Sequence, residues 1–280
     1  MSFLEKIEEN NNYTEDNKTP LVVEGQRVGQ VRSDYLAYVL SNEIFVLKDG
    51  RMVLDERFKT FEARTEALRF FAKKAVEDGI TNRFMNENYP LIAKGSSEPL
   101  AFIDRSISTL LGSFSLGQHL NAYVMTSEGM KMWIGRRAYD KPHHPGKLDH
   151  LVAGGLPWDI TPKENLLKES YEEAGMSAAL ASRAKSVGLV SYKYEYELGG
   201  KEDIIYCYDI ELDEDFVPNC TDGEVEEFYL MPMEEVAQLV ETSHEFKTNC
   251  NLVIIDFLVR HGFIGVENSD YIAIVQGLRS

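Results

Sequence analysis

Cysteine, long apolar stretches and basic residues are all scarce in this chain. Its three cysteines are Cys207, Cys220 and Cys250; they form no CxxC pair, which predicts neither a disulfide framework nor a zinc site of sulfur ligands. No apolar run approaches the roughly 18 residues that a membrane helix needs. The polar, acidic start also lacks the basic and apolar segments of a signal peptide. We therefore expect a cytoplasmic protein.

Acidic residues dominate the charge that is present. The chain has 46 Asp and Glu against 29 Lys and Arg, a formal net charge of −17. This charge repels a phosphate backbone and an anionic membrane surface, so we predict neither a nucleic-acid nor a membrane partner. A polyanionic ligand would need a locally basic segment or bound cations.

The length of 280 residues and the 44% hydrophobic content suffice for one large domain or two ordinary ones. Alternating strands with an Asp49-Gly50 turn, followed by helical patterns over residues 64–79 and 99–112, predict a small α/β unit. Strands then dominate from about residue 117, with one hairpin turning at Gly199-Gly200, and two helices follow. We predict an accessory α/β domain at residues 1–115 and a second domain at residues 116–280.

One segment, "GGLPWDITPKENLLKESYEEAGM" from Gly154 to Met176, has a well-marked helix. Thr161 can cap the free amides, Pro162 suits the first helical position, and Glu164 can bond back to the cap. Gly175 provides the end.

Three acids of this helix, Glu169, Glu172 and Glu173, fall on one sector because they are three and four residues apart. Like charges at this spacing cost a few tenths of a kcal/mol per pair on an exposed helix. A divalent cation such as Mg²⁺ would reverse that sign. An ordinary solvated helix face is the alternative, and from the triplet alone it is the commoner case.

The whole arrangement resembles the Nudix box, a pattern that runs from a glycine to an acidic helix. The residues that align with this pattern are Gly154, Lys168, Glu169, Ser170, Glu172, Glu173, Gly175 and Met176. Ile160 replaces the first glutamate of the pattern, Lys168 replaces its arginine, and Ser170 stands at an apolar position. Most of residues 20–280 resemble one branch of this family, the branch related to thiamine pyrophosphokinase-associated Nudix hydrolases. In that branch the first glutamate of the pattern is commonly absent.

This resemblance implies an α/β/α sandwich with a mixed sheet, a smaller α/β domain before it, and a bound Mg²⁺ or Mn²⁺. It makes Glu172, Glu173 and the Ala153 carbonyl metal ligands, and Glu169 a ligand or the base that activates water. Lys168 would orient Glu169 or Glu172 through a salt bridge. One acid of the segment "DGEVEEF" would join them, and among Glu224, Glu226 and Glu227 we prefer Glu224.

A basic segment, "RRAYDKPHHPGK", provides the cations that a diphosphate needs. Arg136 and Arg137 end a strand, where side chains alternate, so we expect one of them to bind phosphate and the other to face solvent. Lys147 is a further candidate for substrate binding. We interpret the adjacent histidines, His143 and His144, as solvated loop residues, since no further His or Cys nearby completes a transition-metal site.

Two aromatic residues are candidates for contact with the group beyond the phosphates. Trp158 lies in the box loop, and Tyr192 shares a strand face with Tyr194 and Tyr196. For the tyrosines, core packing explains the pattern equally well.

The predicted activity is hydrolysis of a small organic diphosphate, with thiamine diphosphate or its oxidised and analogue forms first and nucleoside diphosphate derivatives second. A non-catalytic ligand sensor is the alternative from another class. An isopentenyl diphosphate isomerase would need a cysteine and glutamate pairing that we do not find, and a kinase would need a GxxxxGK[ST] loop, which is absent. The first domain would either shape the substrate cleft or form a homodimer contact.

Overall fold

The computed structural model describes residues 1–141 and 143–280. The first unit contains α1 (Phe3–Asn10), β1 (Lys18–Val23), β2 (Gln26–Arg32), α2 (Ser33–Leu40), β3 (Phe45–Lys48), β4 (Arg51–Leu54), α3 (Phe61–Glu77), β5 (Asn88–Leu91), β6 (Ala101–Asp104) and a 3-10 turn (Arg105–Ile107). The second contains β7 (Ser115–Thr126), β8 (Gly129–Arg137), β9 (Leu148–His150), β10 (Val152–Gly155), α4 (Pro162–Ala174), α5 (Ala178–Ala181), β11 (Lys185–Tyr196), β12 (Gly199–Glu211), β13 (Val225–Pro232), α6 (Met233–Thr242), α7 (Thr248–Arg260) and α8 (Tyr271–Gly277). The predicted fold class, a smaller α/β unit before an α/β unit with a mixed sheet, is confirmed.

The first unit is a four-stranded sheet in the order β2-β1-β4-β3 with α3 packed against it. Asp49 and Gly50 form the predicted hairpin turn, both with positive φ. Helix α3 begins after Thr60, whose hydroxyl accepts a hydrogen bond from the Ala63 amide at 3.1 Å. The apolar face predicted for this helix is fully buried: Leu68, Phe71, Ala72 and Ala75.

The helix expected within residues 99–112 was wrong. Residues 101–104 form strand β6 instead, which pairs with β5, and only a short 3-10 turn follows. The Asp104 carboxylate accepts hydrogen bonds from the amides of Met85 at 3.0 Å, Asn86 at 2.7 Å and Ser106 at 3.0 Å. Long-range strand pairing and these side-chain bonds outweigh the helical spacing of the apolar residues.

The second unit is a seven-stranded mixed sheet with β11-β12-β7-β8-β13 as its main path. Strands β12 and β7 run parallel. The single strand expected at residues 147–155 is divided in two, because β9 pairs with β8 and β10 pairs with β7. The hairpin predicted at Gly199-Gly200 turns two residues earlier, because Tyr196 pairs with Gly199. A Cβ on Gly199 would lie 2.8 Å from the Thr109 carbonyl oxygen, so close packing against the first unit explains this glycine.

Helices cover both faces of this sheet. Leu120 and Ala122 of β7 pack with Leu166 of α4 on one face. On the other face, Tyr123 of β7 contacts Phe257 of α7, with ring centroids 5.7 Å apart. The box helix α4 and helix α7 therefore lie on opposite sides of the same strands.

Helix α1 packs with the second unit although it lies within residues 1–115. Ile7 belongs to the apolar core built around α6, α7 and β11, and Asn10 Nδ2 donates to the Thr248 carbonyl at 3.1 Å. The two-domain boundary itself stays a prediction. None of the helices formed by residues 1–141 and 143–280 has the length and apolar character to span a membrane.

Candidate active site

Local interactions set the position of the box helix α4. Thr161 and Glu164 form a reciprocal capping box, with the Glu164 amide donating to Thr161 Oγ1 at 3.2 Å, and Pro162 occupies the first turn. Gly175 ends the helix in the left-handed conformation at φ 66°. The sequence signals at both ends of this helix are thus sufficient to fix its length.

Glu173 is the most buried acid of the triplet, with 6% of its surface exposed. Its Oε2 accepts a hydrogen bond from the Ala153 amide at 2.8 Å, which ties α4 to β10. Burial raises the pKa of Glu173 well above its ordinary value, and the negative charges of Glu169 and Asp149 raise it further. A positive charge in this pocket would therefore be strongly stabilised.

Glu169 and Glu172 share one cation, the Lys168 ammonium, at 3.1 Å and 2.9 Å respectively. Burial raises the pKa of Glu169, and Lys168 only partly offsets this effect. The carboxyl group of Glu169 also lies against the first box glycine: a Cβ on Gly154 would be 2.9 Å from Glu169 Cδ. Glycine at this position allows the acid to approach the strand.

Glu224 lies close enough to contribute to the raised pKa values of both Glu169 and Glu173. It is partly exposed and forms an ion pair with Lys141. Glu226 and Glu227 are exposed, and Glu227 accepts a hydrogen bond from the Tyr229 hydroxyl. Of the three acids considered from the sequence, the structure thus brings Glu224 towards the box.

The two neighbouring arginines point in different directions. Arg137 is 14% exposed and binds Asp149 at 2.9 Å, whereas Arg136 donates to the Tyr229 hydroxyl at 3.0 Å and to the Gly146 carbonyl at 2.8 Å. Lys147 is bound to the His244 carbonyl at 2.6 Å. Among these cations, Arg137 is directed to the strand that precedes the box.

The two aromatic candidates lie in different surroundings. Trp158 is half-buried, and its amide donates to the Asn88 carbonyl of the first unit at 2.8 Å. Tyr192 is 3% exposed and packs in the core, so its ring has no free face on which a ligand could stack.

A buried polar cluster, formed by His119, Asp149, His150 and Cys250, was missed by the sequence reasoning. One ligand atom from each residue lies within 4.8 Å of the others, close enough for a single metal ion. The four come from three distant segments of the chain, so no spacing could have indicated the group.

The charges around this cluster favour a hydrogen-bond network over a metal site. Asp149 already binds Arg137 and Lys247, the latter at 3.2 Å, and it accepts from Cys250 Sγ at 2.8 Å. A divalent ion with a thiolate and the Asp149 carboxylate would be neutral and would leave both cations unbalanced in a buried place. The box helix, with its oxygen donors and partly accessible Glu172, fits a hard divalent cation better.

The comparisons with known proteins agree with this geometry. A family model described as NUDIX domain matches residues 117–250, and one described as a domain of unknown function (DUF4743) matches residues 2–114. Nudix hydrolase 20, chloroplastic, of Arabidopsis thaliana is 40% identical over 99% of this chain and 78% of its own length. Nudix hydrolase 24, chloroplastic, of the same plant is also 40% identical, with the same coverage of both chains.

Among solved structures, the NUDIX domain of Shewanella oneidensis NrtR complexed with ADP ribose is 13% identical, with a TM-score of 0.41, and covers 54% of this chain and 90% of that one. The sequence matches define the class of protein, a hydrolase that acts on pyrophosphate-type substrates. The chain belongs to the Nudix hydrolase family. Nudix enzymes generally use a divalent metal ion.

Proposed function

We propose that this enzyme hydrolyses the diphosphate bond of a small organic diphosphate and releases the monophosphate and phosphate. Thiamine diphosphate and its oxidised or analogue forms are our first candidates, on the resemblance to the thiamine-related branch. Nucleoside diphosphate derivatives are the second. The observation that carries the reaction type is the pair of largely buried box acids, Glu169 and Glu173, whose pKa values are raised by burial, with the Glu169 carboxyl group against Gly154.

The proposed ion is Mg²⁺ or Mn²⁺, held by Glu172, Glu173 and the Ala153 carbonyl, with Glu224 beside them. Carboxylate oxygens are the donors that these hard cations prefer. When bound, the ion neutralises charge on the phosphate oxygens during in-line attack by water.

The protein's own residues would then divide the remaining tasks. Glu169 has a raised pKa, which suits a base that takes a proton from the attacking water. Lys168 holds Glu169 and Glu172 in place through its two ion pairs. Arg137, fixed by Asp149, would bind a phosphate oxygen.

The cellular location and assembly also remain proposals. We propose a cytoplasmic location, as expected from the sequence, while both plant relatives carry the word chloroplastic in their names. A homodimer is one role left open for the N-terminal domain, and the net charge of −17 favours small anions held with cations over nucleic acid or membranes.

A substrate panel tests the proposal. Purified protein with Mg²⁺ or Mn²⁺ would be incubated with thiamine diphosphate, oxidised thiamine diphosphate, ADP-ribose and a UDP-sugar, and the released monophosphate quantified. We expect one thiamine compound to be the best substrate. We expect Glu173→Gln to lose more than about 100-fold in kcat, since even groups that only support metal ligands typically cost 10–100-fold.

Glu234→Gln, which changes an exposed acid in the first turn of α6, is the matched control and should keep full activity. Equal turnover by wild type and Glu173→Gln would refute the assigned site. Binding of a panel member without any turnover would instead support the non-catalytic sensor.

A further inference from the structure

The N-terminal domain contacts the box loop directly. Strand β5 lies beside this loop, where the Trp158 amide donates to the Asn88 carbonyl at 2.8 Å and Asn88 Nδ2 donates to Asp159 at 3.2 Å. The residue after Asn88, Tyr89, is 2% exposed. The first domain is therefore part of the wall around the candidate active site.

Two side chains of the first domain lie against the second box glycine. A Cβ on Gly155 would be 2.4 Å from the Tyr89 hydroxyl and 2.9 Å from Arg105 Nη1. On the neighbouring glycine, Gly154, a Cβ would instead meet the Glu169 carboxyl group at 2.9 Å. Only the backbone of two adjacent glycines therefore separates the Arg105 guanidinium from a box glutamate.

Arg105 has donors left for a ligand. Its Nη1 donates to Glu87 Oε2 at 3.0 Å, and within residues 1–141 and 143–280 no other acceptor binds its side chain. A guanidinium carries five N–H donors in a rigid plane that matches phosphate oxygens. The side chain as a whole remains 40% exposed, so part of it is open to solvent.

Arginines of both domains lie near His143. Burial is the main reason that the pKa of His143 is lowered, and nearby positive charges lower it further: Arg105, Arg137 and Arg83. Two of these arginines belong to the first domain, in a chain whose net charge is −17. Arg105 also lies near enough to Glu169 of the box helix for the two charges to interact, an arrangement suited to a diphosphate that also binds cations.

We propose that Arg105 binds a phosphate oxygen of the substrate, so that the N-terminal domain completes the active site of the Nudix domain. This inference rests on the proposed function of the box. It assigns to the first domain a part in substrate binding, and it explains why Gly155 must leave room for Tyr89 and Arg105.

Steady-state kinetics of Arg105→Gln and Arg105→Lys, on the best substrate of the panel, test the proposal. We expect Arg105→Gln to raise KM at least tenfold while its melting temperature stays within a few degrees of wild type. Arg105→Lys keeps the charge but loses the planar pair of donors, so its KM should be intermediate. Arg57→Gln, an exposed arginine of the same domain that pairs with Asp55, is the matched control and should behave as wild type.

Calorimetric titration with inorganic pyrophosphate and Mg²⁺ separates the two proposals. If wild type hydrolyses no panel member, the proposed function fails, whereas weaker pyrophosphate binding by Arg105→Gln would still support the role of Arg105. Unchanged KM and unchanged pyrophosphate affinity in both Arg105 variants of an active enzyme would overturn this inference. Should Arg105→Gln fail to fold, Arg105→Lys and its KM decide the question.

Discussion

Glu173 and Asp149 are both buried carboxylates of the Nudix domain, 6% and 4% exposed, but their electrostatic surroundings are opposite. Burial raises the pKa of Glu173, and neighbouring acids raise it further. Burial also acts to raise the pKa of Asp149 and is the largest single effect, but Lys247, His119, Arg137 and the hydrogen bond from Cys250 together outweigh it and hold this pKa far below its ordinary value. Among residues 1–141 and 143–280, no cation forms an ion pair with Glu173, while two do so with Asp149.

This difference is what we expect between an acid of the proposed metal site and an acid that stabilises the fold. The Asp149 network pairs its carboxylate with two cations of the protein itself, and it stabilises the fold as long as all its members are present. In the proposed site, a bound cation would balance the charge of ionised Glu173. The two acids are almost equally buried. They differ in the sign of the charges that surround them.

Asp149→Asn should have the largest effect on stability. The substitution leaves the largely buried Arg137 and Lys247 without their carboxylate, and breaking a buried ion pair in this way costs about 3–5 kcal/mol. A thermal melt followed by circular dichroism should show a midpoint roughly 10 °C lower. The control Asp55→Asn removes a more exposed ion pair with Arg57 and should cost about 0–1 kcal/mol. Equal losses in the two variants would contradict the structural role of the network.

Glu173→Gln should instead raise the stability of the folded protein. A carboxyl group whose pKa is raised by folding costs nothing below its ordinary pKa, destabilises the fold increasingly as the pH rises from the ordinary to the folded pKa, and keeps that full cost at higher pH. The variant should therefore melt higher than wild type at pH 8, by roughly 2–6 °C, and show a smaller advantage at pH 5.

The effect of added Mg²⁺ on the melting temperature is a second measurement on this variant. The ion should raise the melting temperature of wild type at pH 8 more than that of Glu173→Gln, because only the wild-type pocket keeps its full negative charge. A variant that melts lower than wild type at pH 8 would show that Glu173 is compensated in the same way as Asp149.

Lys168→Gln should have the smallest effect. Lys168 is 51% exposed, and in the proposed site it would act only by holding Glu169 and Glu172, so we expect about a tenfold loss of kcat/KM with little change in stability. Lys168→Arg keeps the charge and should retain most activity. A loss as large as that of Glu173→Gln would mean that the lysine contacts the substrate.

The features that sequence reasoning predicted share one property: they depend on residues close together in the chain. The box helix has its cap at Thr161, its end at Gly175 and its acids on one sector within fifteen residues, counting from 161 to 175. The Asp49-Gly50 turn is equally local. Where neighbours in space competed with the local pattern, as in β6 and at the turn before Gly199, the prediction was wrong.

By itself, the sequence determined the family and the α/β class, because glycines, caps and helical spacing act within a few residues. Only the tertiary structure decided which charges meet. Asp149 forms an ion pair with Lys247, nearly a hundred residues away along the chain, and Arg105 of one domain lies against Gly155 of the other. Contacts of this kind depend on how sheets and helices pack, and no spacing along the chain encodes them.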